Sequence, residues 1–391
     1  MKNLKCSITI ISILSILSSC SKYIQDTITT QCNFPSGIGN TYSKKDSLEN
    51  LMNQYVKQGI PGVVISIFSP TSGYWGTSAG YAKIETNTPM QLCHLQYLQS
   101  VSKTYLAAVI LKLHEEGKID LDAAITEYLP EKFVKYIDNA SSMRVRNLLN
   151  HTSGMPDYLE SPKYITYVLQ HPDHYFTSEE FLSYIKNEKQ QFSPGSRFEY
   201  SNTNYHVLAL ILDAISGSHE ELIKQKILAP LGLTNTYYRN FKGVPALVNS
   251  YMDRFSTGIV ENVSLLQQEC ISCAKGDDGM IATPLDAVNF LRGLMEGKIL
   301  TDSSLNKMKT TVNDVNGNPI YGLGLYHVKY FGIEGFGHGG AGAGAGCGLY
   351  YFPAKKVYVF IGTNIGTLVD GPIVQKVNRL KSKVLEMILT D

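Results

Sequence analysis

The sequence predicts a mixed α/β (α+β) fold, in which helices flank one antiparallel sheet built from both chain ends and an all-helical insertion separates the strands. Strand-like runs occur near both ends of the 391-residue chain, whereas residues 131–260 consist mostly of helical pieces and turns rich in Pro and Gly. Hydrophobic residues make up 43% of the chain and charged residues 18%, which is enough apolar material for a large buried core.

The N-terminal elements follow from periodicity and turn residues. Apolar residues at helical spacing predict a helix over 47–59. Residues 62–68 and 74–81 are predicted as the two strands of a hairpin, because a Pro-Thr-Ser-Gly turn joins them. Residues 103–116 then form a predicted helix that is apolar on nearly all of one side.

The same patterns predict helices, then strands, and then a last amphipathic helix in the rest of the chain. The predicted helices are 200–216, 220–228 and a third that is capped by Thr283 and has Pro284 in its first turn. The predicted strands are 321–328, 347–352 and 357–363, and the last helix is 373–389. Since strands lie at both ends and helices lie between them, we expect the two ends to share one sheet.

The first twenty residues have the features of an export signal. Residues 1–5 carry two Lys, and residues 8–17 form an apolar run that is too short to span a bilayer. The run leads into Leu17-Ser18-Ser19-Cys20, which resembles the lipobox of bacterial lipoproteins. The alternative is a plain signal peptide with an incidental Cys.

The lipobox resemblance implies a signal peptide over 1–19, a lipid anchor on Cys20 and a polar tether over 20–45. The folded domain would then occupy 46–391, with the helical insertion at roughly 131–260. We therefore expect an exported protein of the bacterial cell envelope, in the periplasm or at the outer membrane, which contacts the membrane by its lipid anchor only.

Charge and cysteine content argue against several classes of partner. A formal net charge of +1 gives no long-range attraction for nucleic acid. Cys270 and Cys273 form a single C-x-x-C without a second pair, so we expect no metal site, no redox site and no cofactor. The cysteines beyond Cys20 are interpreted as isolated thiols or one local disulfide. The oligomeric state is left open.

One motif that suggests a nucleophile lies in the wrong context. Residues 76–80 read G-x-S-x-G around Ser78, a motif that needs a strand, a sharp turn and then a helix. No helix pattern follows Ser78, so we interpret it as part of the second hairpin strand.

The S-x-x-K pattern is more informative, although it occurs four times, at Ser19, Ser100, Ser183 and Ser304. At this spacing the two side chains share a helix face, so the amine can reach the hydroxyl. A reactive pair also needs a helix N-terminus at the Ser and burial at the Lys, which lowers the pKa of the amine. Ser19 lies in the signal, and Ser183 and Ser304 lie in charged or polar stretches.

Ser100 and Lys103 meet these requirements, because they open the apolar helix predicted over 103–116. We predict Ser100 as the nucleophile and Lys103 as its base. A proton donor for the leaving group and donors for the oxyanion are still needed.

Two further motifs supply candidates for these roles. Tyr200 and Asn202 stand at the start of an apolar helix, where the Tyr can exchange a proton with Lys103 and the Asn amide can hold a substrate carbonyl or the Lys. His338, followed by Gly339 and Gly340, opens a glycine-rich run before a strand. Glycine lets substrate lie against the backbone, and a free N–H there can complete an oxyanion hole. A turn at Tyr200 and a loop or packed strand at His338 are the structural alternatives.

The order S-x-x-K, Y-x-N, H-x-G resembles that of the serine β-lactamase-related proteins, the group of class C β-lactamases, D-alanyl-D-alanine carboxypeptidases and esterases. The resemblance extends from about residue 47 to residue 390. Segments similar to the family are IPGVV at 60–64, EGKIDLD at 116–122, LLNHTSG at 148–154, SPG at 193–195, LGL at 231–233 and GTN at 362–364.

The resemblance implies a β-lactamase/transpeptidase-like fold and a role for each candidate. Ser100 would be the nucleophile, Lys103 and Tyr200 the proton-transfer pair, and Asn202 a partner of substrate or Lys. His338 takes the place of the Lys in the K-T-G motif of true β-lactamases, and the N–H groups of Ser100 and Ala341 would bind the oxyanion.

Two departures from the family pattern bear on function. His338 is not a permanent cation, which argues against efficient β-lactam hydrolysis, since His is charged only when protonated. Alternating Ala and Gly over 341–346 replace more varied family text.

We therefore expect a serine hydrolase that cleaves a small ester, amide or D-amino-acid peptide. The alternatives are a cell-wall D,D-carboxypeptidase or weak β-lactamase, and a catalytically silent, lipid-tethered binding or scaffold protein.

Overall fold

The structure, a computed structural model, describes residues 42–239, 241 and 243–390. The predicted signal peptide, Cys20 and most of the predicted tether lie outside these residues. The strands are β1 (Gly62–Ser69), β2 (Gly73–Lys83), β3 (Thr88–Pro89), β4 (Gln96–Tyr97), β5 (Thr236–Tyr238), β6 (Tyr251–Met252), β7 (Glu261–Asn262), β8 (Met280–Ala282), β9 (Val312–Asn313), β10 (Pro319–Tyr321), β11 (Tyr326–Tyr330), β12 (Ile333–Ala341), β13 (Gly346–Phe352) and β14 (Val357–Thr363).

The helices alternate with these strands and concentrate in the middle of the chain. They are α1 (Lys45–Lys57), α2 (Ser102–Glu115), α3 (Glu131–Val134), α4 (Val145–Leu149), α5 (Pro162–Gln170), α6 (Ser178–Ser183), α7 (Asn202–Ser216), α8 (His219–Ile223), α9 (Ala229–Leu231), α10 (Ser264–Cys273), α11 (Pro284–Met295), α12 (Asp302–Lys309) and α13 (Pro372–Leu389). None of the helices in the described part of the chain is long and apolar enough to cross a membrane.

Both chain ends contribute to one antiparallel sheet, which confirms the predicted fold class. Within the described residues its strand order is β3-β2-β1-β14-β13-β12-β11-β10-β9. The hairpin of β1 and β2 therefore joins the C-terminal strands through β14, with Val63 opposite Thr363.

The sheet separates two apolar layers. On one face, α1 and α13 bury Leu48, Met52, Val377 and Leu380 against the sheet. On the other face lie α2, α7, α11 and the insertion, which form the larger core. Helix α2 is buried on almost every side, and Lys103 is fully buried with it.

The insertion is mainly helical, but it also holds the short strands β5 and β6, which the sequence analysis lacked. Strand β5, Thr-Tyr-Tyr, pairs with β8, and β8 pairs with β4 in a small three-stranded sheet. β-Branched and aromatic residues suit a paired strand, but three residues are too few to show a period in the sequence.

The glycine-rich run that begins at His338 forms the end of one strand, a turn over 342–345 and the start of the next strand. Residues 333–341 form β12, which pairs with β13 from Phe336 opposite Tyr351 to Ala341 opposite Gly346. Strand β13 was predicted from the sequence, whereas a loop and a packed strand both stayed open for residues from His338 onward. Alternate glycines remove the side chains whose alternation identifies a strand.

Candidate active site

Ser100 lies in a 3₁₀ turn, Gln99–Val101, that leads directly into α2. Gln99 has φ +50°, a left-handed conformation that is uncommon for residues other than glycine. The Ser102 hydroxyl holds this turn in place, because it donates to the Gln99 carbonyl at 2.6 Å and accepts from the Met280 N–H at 3.1 Å. The Ser100 side chain is left partly accessible.

The buried Lys103 amine lies against three oxygen acceptors. Its Nζ is 2.9 Å from Ser100 Oγ, 2.8 Å from Asn202 Oδ1 and 2.7 Å from the Asp277 carbonyl oxygen. Burial lowers the pKa of Lys103 to about 8, although nearby carboxylates act in the opposite direction. An appreciable fraction of the amine is therefore neutral near physiological pH.

Asp157 orients the Asn202 amide. Its Oδ2 accepts from Asn202 Nδ2 at 2.7 Å and from the Asn202 backbone N–H at 3.0 Å. Because the amide nitrogen is held by Asp157, the amide oxygen points to Lys103. Asp157 is thus a positioning residue that the sequence analysis missed.

Tyr200 lies beside the same amine. Lys103 Nζ is 5.1 Å from the centroid of the Tyr200 ring, and the His151 ring packs against that ring at 4.2 Å. The Tyr200 hydroxyl is buried and has no ordinary hydrogen-bond partner among the described residues. Burial and nearby carboxylates raise the pKa of Tyr200 well above 10, although the nearby Ser100 side chain acts to lower it.

His338 lines the site from β12, but protein groups occupy both of its ring nitrogens. Its Nδ1 donates to the Gly339 carbonyl at 2.6 Å, so Nε2 accepts from the Tyr321 hydroxyl at 2.9 Å. Burial and the Lys103 charge lower the pKa of His338 to about 3. His338 is neutral above that pH, so it gives the site no cation.

Gly340 and Ala341 bring β12 next to the Ser100 turn. A Cβ on Gly340 would lie 2.6 Å from the Leu98 carbonyl oxygen and 2.7 Å from Cys347 Sγ. The sequence analysis explained Gly340 by contact with substrate, but its missing side chain is needed first for this close packing inside the protein. Ala341 ends the strand and lines the same cavities as Ser100.

Acidic residues of the loop before β8 complete the site, and the sequence analysis missed them. Asp277 is buried, and its Oδ2 accepts from the Tyr158 hydroxyl at 2.5 Å, while its carbonyl binds Lys103. Burial and the Asp277 charge raise the pKa of Asp278 to about 7. In the sequence, the one feature that could have indicated these residues is the pair of adjacent carboxylates between Gly276 and Gly279.

Ser19 is outside the described residues, and the remaining S-x-x-K and G-x-S-x-G serines lie away from this site. Ser78 is in the middle of β2 and donates to the Met90 carbonyl at 2.8 Å. Ser183 ends α6, and Ser304 lies in α12. Among the described residues, no three His, Cys, Asp or Glu side chains are grouped to hold a metal, and Cys270 and Cys273 are free thiols.

Two cavities meet at Ser100, and Asn202 and Ala341 line both of them. The larger, of about 560 Å³, is also lined by Tyr200 and His338. The smaller, of about 350 Å³, runs under the insertion among mainly apolar side chains, which include Leu159, Tyr164, Val168, Leu266 and Ile271.

The model of the family described as "Beta-lactamase" matches residues 48–380, nearly the whole of the described chain. The chain belongs to the beta-lactamase family. This confirms the resemblance inferred from S-x-x-K, Y-x-N and H-x-G, and it supports a serine hydrolase.

Individual proteins to which this chain is similar extend this result. A D-amino acid amidase from Ochrobactrum anthropi SV3 superimposes with a TM-score of 0.78 at 26% identity, covering 89% of this chain and 99% of the amidase. A D-stereospecific amidohydrolase from Streptomyces sp. has a TM-score of 0.74 at 27% identity, covering 85% and 97%. The putative penicillin-binding protein PbpX of Bacillus subtilis is 29% identical over 232 residues, which are 59% of this chain and 53% of PbpX. The chain spans about half the length of the curated relatives it matches.

Proposed function

We propose that this beta-lactamase family member is a serine hydrolase that forms an acyl-enzyme on Ser100. The observation that carries the proposal is the 2.9 Å contact of the Lys103 amine with Ser100 Oγ at a turn open to a cavity. Of the three S-x-x-K patterns that the structure describes, this is the one with a buried Lys beside an accessible Ser.

The geometry supports Lys103 as the base that takes the first proton. An ammonium has three N–H donors, and Lys103 has three acceptors. When the amine is neutral, two N–H groups still bind Asn202 and the Asp277 carbonyl, so the lone pair faces Ser100 Oγ. The Ser100 proton can then pass to Nζ as Oγ attacks the substrate carbonyl carbon.

Tyr200 is proposed as the donor to the leaving group. Its pKa is raised well above 10, so it stays a neutral phenol that can give a proton while taking one from the Lys103 ammonium. The N–H groups of Ser100 and Ala341 are proposed to bind the oxyanion, with Asn202, His338 and Gly340 lining the bound substrate. Water then releases the acyl group from Ser100 Oγ.

We propose that the substrate is a small ester, amide or D-amino-acid peptide. The two structural relatives named D-amino acid amidase and D-stereospecific amidohydrolase support this class. A neutral His338 disfavours efficient β-lactam hydrolysis, whereas the penicillin-binding relatives keep a D,D-carboxypeptidase as the second candidate. A catalytically silent scaffold protein is less consistent with the structure, because the Lys103 amine is placed to accept a proton.

The cellular location stays a prediction. The lipobox-like Leu17–Cys20 supports export to the cell envelope and an anchor at Cys20, followed by a tether to about residue 45. A mature protein whose mass lacks lipid at Cys20 would contradict it.

Labelling experiments test the acyl-enzyme. A fluorophosphonate should label wild type and the Ser78→Ala control, but not Ser100→Ala, because the probe reacts with an activated serine. Equal labelling of wild type and Ser100→Ala, or none in wild type, would refute the proposal. A fluorescent penicillin applied to the same three proteins separates the candidates, since stable labelling favours the carboxypeptidase.

A further inference from the structure

The larger cavity does not end at the catalytic groups. It passes from Ser100 and Tyr200 over the free edge of β12 to the opposite face of the sheet, where helix α13 lies. The passage is open because β11 pairs with β12 only as far as Gly337. The cavity therefore has a second wall, which neither the sequence motifs nor the proposed chemistry uses.

Gly339 leaves this second wall open. Successive residues of a strand face opposite sides, so Gly339 faces away from the Ser100 turn against which Gly340 packs. A Cβ on Gly339 would find only the Tyr350 hydroxyl at 3.4 Å and the Cys347 carbonyl at 3.9 Å. Ligand atoms can therefore lie along this face of the strand.

Lys381 of α13 supplies the charge of this wall. Its Nζ donates to the Cys347 carbonyl at 3.3 Å, and the ammonium has no carboxylate partner within the part of the chain that the structure describes. Asn378, Ser382 and Leu385 line the cavity from the same helix, and with Lys381 they stand at positions i, i+3, i+4 and i+7 of one helix face. A partly buried cation without an anion is costly, because desolvation is not offset by a pair.

We propose that Lys381 binds a carboxylate on the leaving portion of the substrate. Tyr200, the proposed donor to the leaving group, lines this cavity and does not line the smaller apolar one. The leaving portion would thus extend toward Lys381, and the acyl portion would enter the apolar cavity. The inference rests on the proposed function, and it narrows the substrate to an acyl-amino acid or peptide with a free carboxyl end.

Protection of Ser100 tests the inference without requiring turnover. A neutral fluorophosphonate labels Ser100 while N-acetyl-D-phenylalanyl-D-alanine or its uncharged C-terminal amide competes. In wild type we expect the acid to protect at a concentration about tenfold or more below that of the amide, as for a hydrogen bond to a charged group. In Lys381→Met this preference should vanish, while Lys381→Arg should retain most of it.

Lys383→Met is the matched control, since it removes an exposed Lys from the same helix and should keep the wild-type preference. Equal protection by acid and amide in wild type, or a preference that survives in Lys381→Met, would overturn the inference. Because the probe is neutral, unimpaired labelling of Lys381→Met shows that the acyl-enzyme chemistry is intact. If wild type is not labelled at all, the proposed function fails, and the inference fails with it.

Discussion

At the scale of single residues, Lys103 is governed by two opposed effects. Burial disfavours its ammonium form, while the carboxylates of Asp277, Asp278 and Asp157 favour it. Burial is the larger effect, so the pKa falls to about 8. At pH 7 roughly one tenth of the amine is then neutral, whereas an unperturbed Lys is almost wholly charged.

This balance predicts how acylation depends on pH. The rate of fluorophosphonate labelling should rise about tenfold per pH unit below pH 8 and level off above it, because only the neutral amine accepts the Ser100 proton. Lys103→Arg should stay unreactive up to pH 9, since a guanidinium does not lose its proton there. A flat profile in wild type would show that Lys103 is not the base.

From the sequence, the contacts of the active site could be predicted only where they follow from local spacing. Ser100 and Lys103 share one helix turn, so their contact could be predicted. The Asp277 carbonyl reaches the same amine from the loop before β8, and Asp157 holds the Asn202 amide from a loop of the insertion. Local spacing in the sequence does not encode either contact. Asn202 was a candidate because it stands with Tyr200 at the start of an apolar helix, and the resemblance to the family then gave it a role.

At the scale of elements, the edge of β12 and the turn that carries Ser100 form one unit. Strand and turn approach so closely at Gly340 that backbone lies against backbone. The same glycines hid the strand from sequence reasoning, since a residue without a side chain has no hydrophobic alternation. The property that made β12 unpredictable is therefore the property that lets it border the nucleophile.

Gly340→Ala should weaken catalysis by displacing this edge. Its Cβ would lie 2.6 Å from the Leu98 carbonyl oxygen, which must move with the Ser100 turn. Overpacking of this kind costs about 1–3 kcal/mol; if the same cost falls on the transition state, labelling of Ser100 should slow about fivefold to 150-fold. Gly339→Ala, which meets nothing closer than 3.4 Å, should keep the wild-type melting temperature. Unchanged labelling of Gly340→Ala would show that the strand edge adapts.

At the scale of the whole molecule, α13 stabilises the packing of the N-terminal elements against the C-terminal elements. It packs on α1 and on the sheet face behind the active site, burying Val377, Leu380 and Val384. The amphipathic period of residues 373–389 predicted this helix from sequence, and the structure confirms it. Its contact with α1 could not be predicted, because it depends on the two ends sharing one sheet.

Leu380→Ala should therefore destabilise the whole fold. Removing a fully buried Leu costs about 2–5 kcal/mol, measured as the free energy of unfolding in urea. Arg379→Ala, at an exposed neighbouring position, should change that free energy by no more than about 0.5 kcal/mol. A small effect at Leu380 would mean that α13 is dispensable for the core.

The pairing of β1 with β14 also fixes the order in which the chain can fold. Val63 faces Thr363, so one edge of the N-terminal hairpin has no partner until β14, far along the chain, has been synthesised. Long-range pairing of this kind slows folding, and an unpaired apolar strand edge favours aggregation in the meantime. Refolding of the isolated chain should accordingly be slow and concentration-sensitive, with the insertion gaining its local helices before the central sheet closes.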